Sequence, residues 1–110
     1  MARFQLPSGM GHRLTLQSRT EAVGASGELD TNWSTVATIW GAFTSSDIQR
    51  REEAQQMLEI AQHQIVIRYR DDVASGWRFL IEGREISILT VLDPDQSKRF
   101  LSCQCQEAAR

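Results

Sequence analysis

Apolar residues in this chain recur at every second position, in short runs separated by turn residues. Leu14 and Leu16 alternate with Thr15, Gln17 and Arg19. That period turns one strand face toward a core and the other toward water. In Trp33 to Phe43, Val36, Thr38 and Trp40 share one face while Ala37, Ile39 and Phe43 share the other. Apolar residues on both faces imply a strand covered by the core on one side and by something else on the other. Ile65, Ile67 and Tyr69 alternate with Gln64, Val66, Arg68 and Arg70, until Asp71, Asp72, Ser75 and Gly76 break the run. Trp77, Phe79 and Ile81, then Ile86 and Ile88 with Leu89 and Val91, flank Glu82-Gly83-Arg84 as a tight hairpin. Asp93-Pro94-Asp95 has the chemistry of a type I turn. Lys98 to Gln106 reads as the last strand, with Leu101, Cys103 and Cys105 inward.

Between these strands lie two polar stretches. Glu21 to Asn32, with Gly24, Ser26, Gly27, Asp30 and Asn32, predicts a long flexible hairpin loop. Ser45-Ser46-Asp47 offers a helix cap, with Ser46 and Gln49 spaced as a capping box, and Asp47 to about Gln56 are good helix formers. The expectation is all-β: a small antiparallel six-stranded barrel or rolled sheet, with one short helix inserted between the second and third strands. A barrel is favoured because an open sheet of so few strands leaves two exposed edges. Residues 1–11 predict a flexible arm, 12–106 one domain with an insertion at 44–57, and 107–110 a tail.

At 110 residues the chain has room for about one domain and one core. Its 12 basic and 14 acidic residues give a net charge of −2, which argues against a grip on nucleic acid through net charge. No window approaches a membrane span of roughly 20 apolar residues. Met1 to Gly11 has no apolar stretch of the kind a secretory signal requires, so a soluble, intracellular-type domain is expected. All but one of the basic residues are arginine, the exception being Lys98. Composition bias produces such an excess; so does a need for planar forks at interfaces, which lysine serves poorly.

Catalysis finds no support. His12 and His63 stand beside strand starts with no carboxylate at a suggestive spacing. No serine sits in a nucleophile motif, and neither a glycine-rich phosphate loop nor a Walker loop is present. Glu52-Glu53 lie among Arg50 and Arg51 as a solvated charged face, whereas Asp71-Asp72 and Asp93 with Asp95 belong to turns. Cys103 and Cys105, two apart on one strand face, sit at the edge of disulfide geometry and read as reduced, buried thiols. With two remote histidines they are too few for a structural zinc site, so no metal and no cofactor is expected.

The order of motifs resembles the phage head–tail joining family, also called head-closure, head-completion or stopper proteins. The likeness begins at His12-Arg13-Leu14-Thr15-Leu16-Gln17 and continues through Trp33-Ser34-Thr35-Val36-Ala37-Thr38-Ile39-Trp40-Gly41-Ala42. It includes Glu53-Ala54-Gln55-Gln56, His63-Gln64-Ile65-Val66-Ile67-Arg68-Tyr69-Arg70, and Trp77-Arg78-Phe79 with Gly83-Arg84 and Ile86. It closes with Val91-Leu92-Asp93-Pro94-Asp95, so about 12–106 is covered.

The resemblance implies a non-enzymatic β-barrel subunit of a tailed phage, a prophage or a gene transfer agent. Such a subunit forms a sixfold or twelvefold ring in the neck, closing the DNA exit and docking the tail. Its partners would be further copies of itself, a portal-bound adaptor, a tail terminator or tail tube protein, and DNA passing without specific binding. In relatives the insertion between the second and third strands extends toward the channel. Carried over, this makes Asp47, Arg50, Arg51, Glu52, Glu53 and Gln56 candidate channel or gating residues. Trp33, Trp40, Arg68 and Arg70 are candidate subunit contacts. The alternative is a small β-barrel module binding nucleic acid or a peptide, through Arg50 and Arg51 or Arg68 and Arg70. A third reading, metal or redox chemistry at Cys103 and Cys105, requires bound metal.

Overall fold

Six strands close on themselves in the computed structural model, which describes residues 11–53 and 56–109, the side chains of 45–47, 49–53, 56–58 and 109 excepted. In chain order they are β1 (His12–Val23), β2 (Leu29–Glu53), β3 (Gln56–Arg68), β4 (Arg78–Ile81), β5 (Arg84–Leu92) and β6 (Phe100–Ala109). The spatial order is β1-β2-β3-β6-β5-β4, all neighbours antiparallel. A short ladder from Thr15↔Leu80 to Gln17↔Arg78 joins β4 to β1 and completes the barrel. Closure removes the edges of the barrel itself, whereas residues 29–40 of β2 pair only with β1 and residues 47–53 only with β3.

The interior follows the alternation of the sequence. Leu14, Leu16, Ile65, Ile67, Phe79, Ile86, Ile88, Cys103 and Cys105 are all buried and form one cluster, with Ile39, Phe43, Tyr69 and Trp77 packed against it. Burial on this scale is what holds so small a fold, at roughly 25 cal/mol per Å² of apolar area. Gly41 faces the same interior: a Cβ there would lie 2.6 Å from Leu14 Cδ1 and 3.2 Å from the Val66 carbonyl oxygen. The β4–β5 connection is the tight hairpin expected. Its two central residues, Glu82 and Gly83, have φ of 49° and 80°, as a type I′ turn demands.

β2 organises the molecule. It has 25 residues, which fully extended would span about 80 Å, yet the longest dimension is 51 Å. The strand bends instead, through an extra residue at Val36 opposite Leu16/Gln17 and another at Thr44 opposite Ile65/Gln64. Bulges bend a strand in this way and mark where it leaves a sheet. Residues 37–43 between them are the barrel segment. The N-terminal half of β2 runs out with β1 as one hairpin, and the C-terminal half runs out with β3 as another.

Two expectations are corrected here. The loop expected over Glu21 to Asn32 is mostly strand: pairing continues to Val23↔Leu29, so only residues 24–28 turn. The helix expected over Asp47 to about Gln56 is absent from the described residues. Asp47 to Glu53 continue β2, paired from Asp47↔Gln62 to Glu53↔Gln56, and residues 54 and 55 lie outside the described part. Helix propensity lost because an isolated helix this short is marginal and this one has no apolar stripe to dock. The β2–β3 ladder, already nucleated in the barrel, propagates outward at one or two hydrogen bonds per residue pair. The last strand also runs past Gln106, to Ala109. The expected arm lies outside the described residues except for Gly11.

Candidate functional site

Trp40, Arg68 and Arg70 come together; Trp33 does not join them. A groove of about 280 Å³ is lined by Ile39, Trp40, Arg68, Tyr69 and Arg70. Trp40 points outward and is 57% exposed, so the covered second face that the sequence implies is open in the single chain. Arg70 donates through Nε and an Nη to the two oxygens of Asp72, both at 3.0 Å. That fork raises the Arg70 pKa and lowers that of Asp72. No acidic side chain among the described residues pairs with Arg68. Trp33 lies on the β1–β2 hairpin, half-buried, with the Arg78 guanidinium 4.0 Å from its ring centroid. Arg78 is itself fixed by the Gln17 amide oxygen at 2.7 Å and by Glu85 at 3.3 Å. This is a stacking contact within the chain.

The insertion candidates Asp47, Arg50, Arg51, Glu52 and Glu53 lie along the outer part of β2, and Gln56 begins β3. Arg50 is in register with Glu59, Arg51 with Leu58 and Glu52 with Met57. The ribbon therefore carries both signs of charge over its last turn-proximal residues, as the sequence reads.

At the barrel end from which this ribbon leaves, a polar cluster closes the interior. His63 Nε2 lies 3.0 Å from Glu107 Oε1, and the same carboxylate accepts two hydrogen bonds from Arg84, at 2.8 and 2.7 Å. The Arg84 bonds hold Glu107 down at a pKa of about 2, with a smaller contribution from His63, against the opposing effect of its partial burial. Phe43 packs edge-on between His63 and His12, with centroids 5.4 and 4.8 Å away. His63 Nδ1 is buried without a hydrogen-bond partner. Sequence reading missed Glu107 by assigning it to a tail. The signal was present in the spacing Cys103, Cys105, Glu107, which keeps it on the inward face.

The other candidates have structural duties. Asp93 accepts from the Lys98 backbone at 2.9 Å, and its carbonyl accepts from the Gln96 N–H at 3.3 Å, as a turn with Pro94 at its second position requires. Asp95, held at a pKa of about 2 by the Ser97 hydroxyl and then Arg99, fastens the same loop. Burial pushes the Cys103 thiol up to about 12 and Cys105 further in the same direction, which suppresses the reactive thiolate. No group of three or more potential metal ligands occurs among the described residues.

The geometry thus defines a closed antiparallel barrel with two outgoing ribbons and an exposed aromatic groove. The family model for the phage head completion protein matches residues 6–108, and the chain belongs to that family. Its role is structural, in joining head to tail, and its place is the neck of a virion or phage-like particle.

Three solved structures share the fold. A chain in the virion of a native gene transfer agent particle has a TM-score of 0.77 and 22% identity, over 97% of this chain and 98% of that one. Protein SF1141 of Shigella flexneri 2a gives 0.60 and 24%, over 90% and 93%. The phage-like element PBSX protein xkdH of Bacillus subtilis gives 0.54 and 14%, over 87% and 92%. No curated protein matches.

Proposed function

We propose that this chain is the head-closure, or stopper, subunit: a homo-oligomeric ring, sixfold or twelvefold, that retains packaged DNA and presents the surface on which the tail docks. The observation that carries this reading is the course of β2, which passes through the barrel and leaves it at both bulges as two long ribbons. A stiff barrel suits ring packing, and the ribbons reach neighbours above, below or across the channel. Residues 12–106 act as the connector domain, and 44–57 as the part that extends toward the channel. Asp47, Arg50, Arg51, Glu52, Glu53 and Gln56 would face passing DNA.

Charge supports the assignment. Each phosphate neutralised adds salt-dependent affinity, so a conduit works better with mixed signs than with a basic lining. A net charge of −2 and the Arg50-Arg51-Glu52-Glu53 run on the ribbon meet that need. The role calls for no catalytic residue or cofactor. The partners are the portal-bound adaptor on one side and the tail terminator or tail tube on the other.

The test is a producing strain lacking this chain. The expected particles are heads without tails, either DNA-filled or leaking, by electron microscopy. Normal tailed particles overturn the proposal. Strong, salt-sensitive DNA binding by the free chain, abolished by Arg50/Arg51→Ala, would instead favour a nucleic-acid module.

A further inference from the structure

Two surfaces of this chain complement each other but cannot meet within one molecule. The first is the tip of the β1–β2 hairpin. Val23 and Leu29 face one another across the last rung and are 71% and 68% exposed. From Thr20 to Asn32 the sequence contains Glu21, Glu28 and Asp30 and no basic residue. Glu21 is paired with Arg19, whereas Glu28 and Asp30 are exposed and pair with no basic side chain among the described residues. The tip thus carries an apolar pair on one ribbon face and two free carboxylates, gathered beside Gly24, on the other.

The second surface is centred on Trp40. Arg13 stands directly across from it on β1, exposed, and Arg68 flanks it from β3 in the groove. Neither arginine pairs with an acidic side chain among the described residues. An exposed indole between two free guanidinium groups is the chemical counterpart of the tip. Aromatic and arginine side chains are also the types that dominate protein interfaces.

Leu29 and Trp40 are 11 positions apart on β2, which corresponds to about 36 Å of extended strand. The intact β1–β2 ladder keeps the tip from folding back onto its own groove. We infer that the β1–β2 hairpin tip of one copy docks into the Arg13–Trp40–Arg68 surface of the next copy. Complementary patches at separate places on one subunit make a head-to-tail contact, and such contacts close into rings when the rotation allows. The inference rests on the ring reading above and supplies its interface: the Val23 and Leu29 face covers Trp40, and the carboxylates of Glu28 and Asp30 on the other face make the tip the negative end that Arg13 and Arg68 attract.

The experiment is a charge exchange in particles made by the producing cell. Recovery of the wild-type chain in purified particles is measured first, since its absence would overturn the connector reading itself. Glu28→Arg with Asp30→Arg, and separately Arg13→Glu with Arg68→Glu, should each lower incorporation by on the order of tenfold or more. All four substitutions in one chain should restore it. Failure of the fourfold variant to restore incorporation, while circular dichroism shows it folded, overturns the inference. So does loss from the arginine reversals alone, which would assign the groove to another partner such as DNA.

A second readout does not depend on restored charge. Glu28→Cys with Arg68→Cys, treated with a short bis-maleimide in assembled particles, should give a ladder of covalent oligomers. Cys103 and Cys105 are buried and do not interfere. Particles that hold normal amounts of this variant and give no ladder, or dimers from Glu28→Cys alone, contradict the inference.

Discussion

Arg84 on β5 grips Glu107 on β6 with two hydrogen bonds, at 2.8 and 2.7 Å, and thereby ties the end of the last strand to the barrel. The same carboxylate meets His63 on β3, so one side chain links three strands where the β2–β3 ribbon departs. Because Glu107 is held at about 2 against an ordinary value of 4.5, its contribution to stability is fully present above about pH 4.5. It is lost as pH falls toward 2. Glu107→Gln should therefore cost about 1–2 kcal/mol at pH 7, a figure reduced for the exposure of Arg84, and the difference from wild type should vanish near pH 2. Urea unfolding at pH 7, 4 and 2.5 measures it. A difference that is constant across these values contradicts the assignment.

Gly41 has no room for a side chain. A Cβ would press on the fully buried Leu14 and on the β3 backbone. Gly41→Ala should destabilise the barrel by roughly 1–3 kcal/mol, as over-packing does. At Gly11 a Cβ would meet nothing within 4 Å, so alanine there should change stability by less than about 0.5 kcal/mol. Denaturant midpoints of the two variants make the comparison.

Much of the barrel was legible because its interior is written in period two. Leu14/Leu16, Ile65/Ile67 and Cys103/Cys105 alternate with polar residues, and each pair is buried as its spacing requires. The sequence points to a helix at Asp47 because local propensity there favours one, whereas the ladder started by Ala42↔Val66 and Phe43↔Ile65 carries the strand onward. Propensity is read from neighbours in sequence; ladder propagation depends on residues about 20 positions away. The groove was partly legible. Trp40, Arg68 and Arg70 stand out by type, but Arg13 belongs with Trp40 only through the β1–β2 register, and Trp33 is drawn off by Arg78.

The outer β2–β3 ribbon is separable from the barrel core. Replacing Gln49 to Ile60 by an Asn-Gly turn should leave a cooperative thermal transition, since the buried cluster formed among the described residues, from Leu14 to Cys105, closes without that stretch. Particles carrying this shortened chain should assemble necks but lose packaged DNA, read as a fall in nuclease-protected DNA per head. Unchanged protection would remove the ribbon from DNA retention.

Electron cryomicroscopy of the neck of assembled particles decides whether this chain forms a closed ring around the DNA path. The expected neck holds a sixfold or twelvefold ring of these barrels between adaptor and tail, each β1–β2 tip seated on the Trp40 surface of its neighbour. A neck whose ring is built by another protein, with this chain elsewhere or absent, would contradict it.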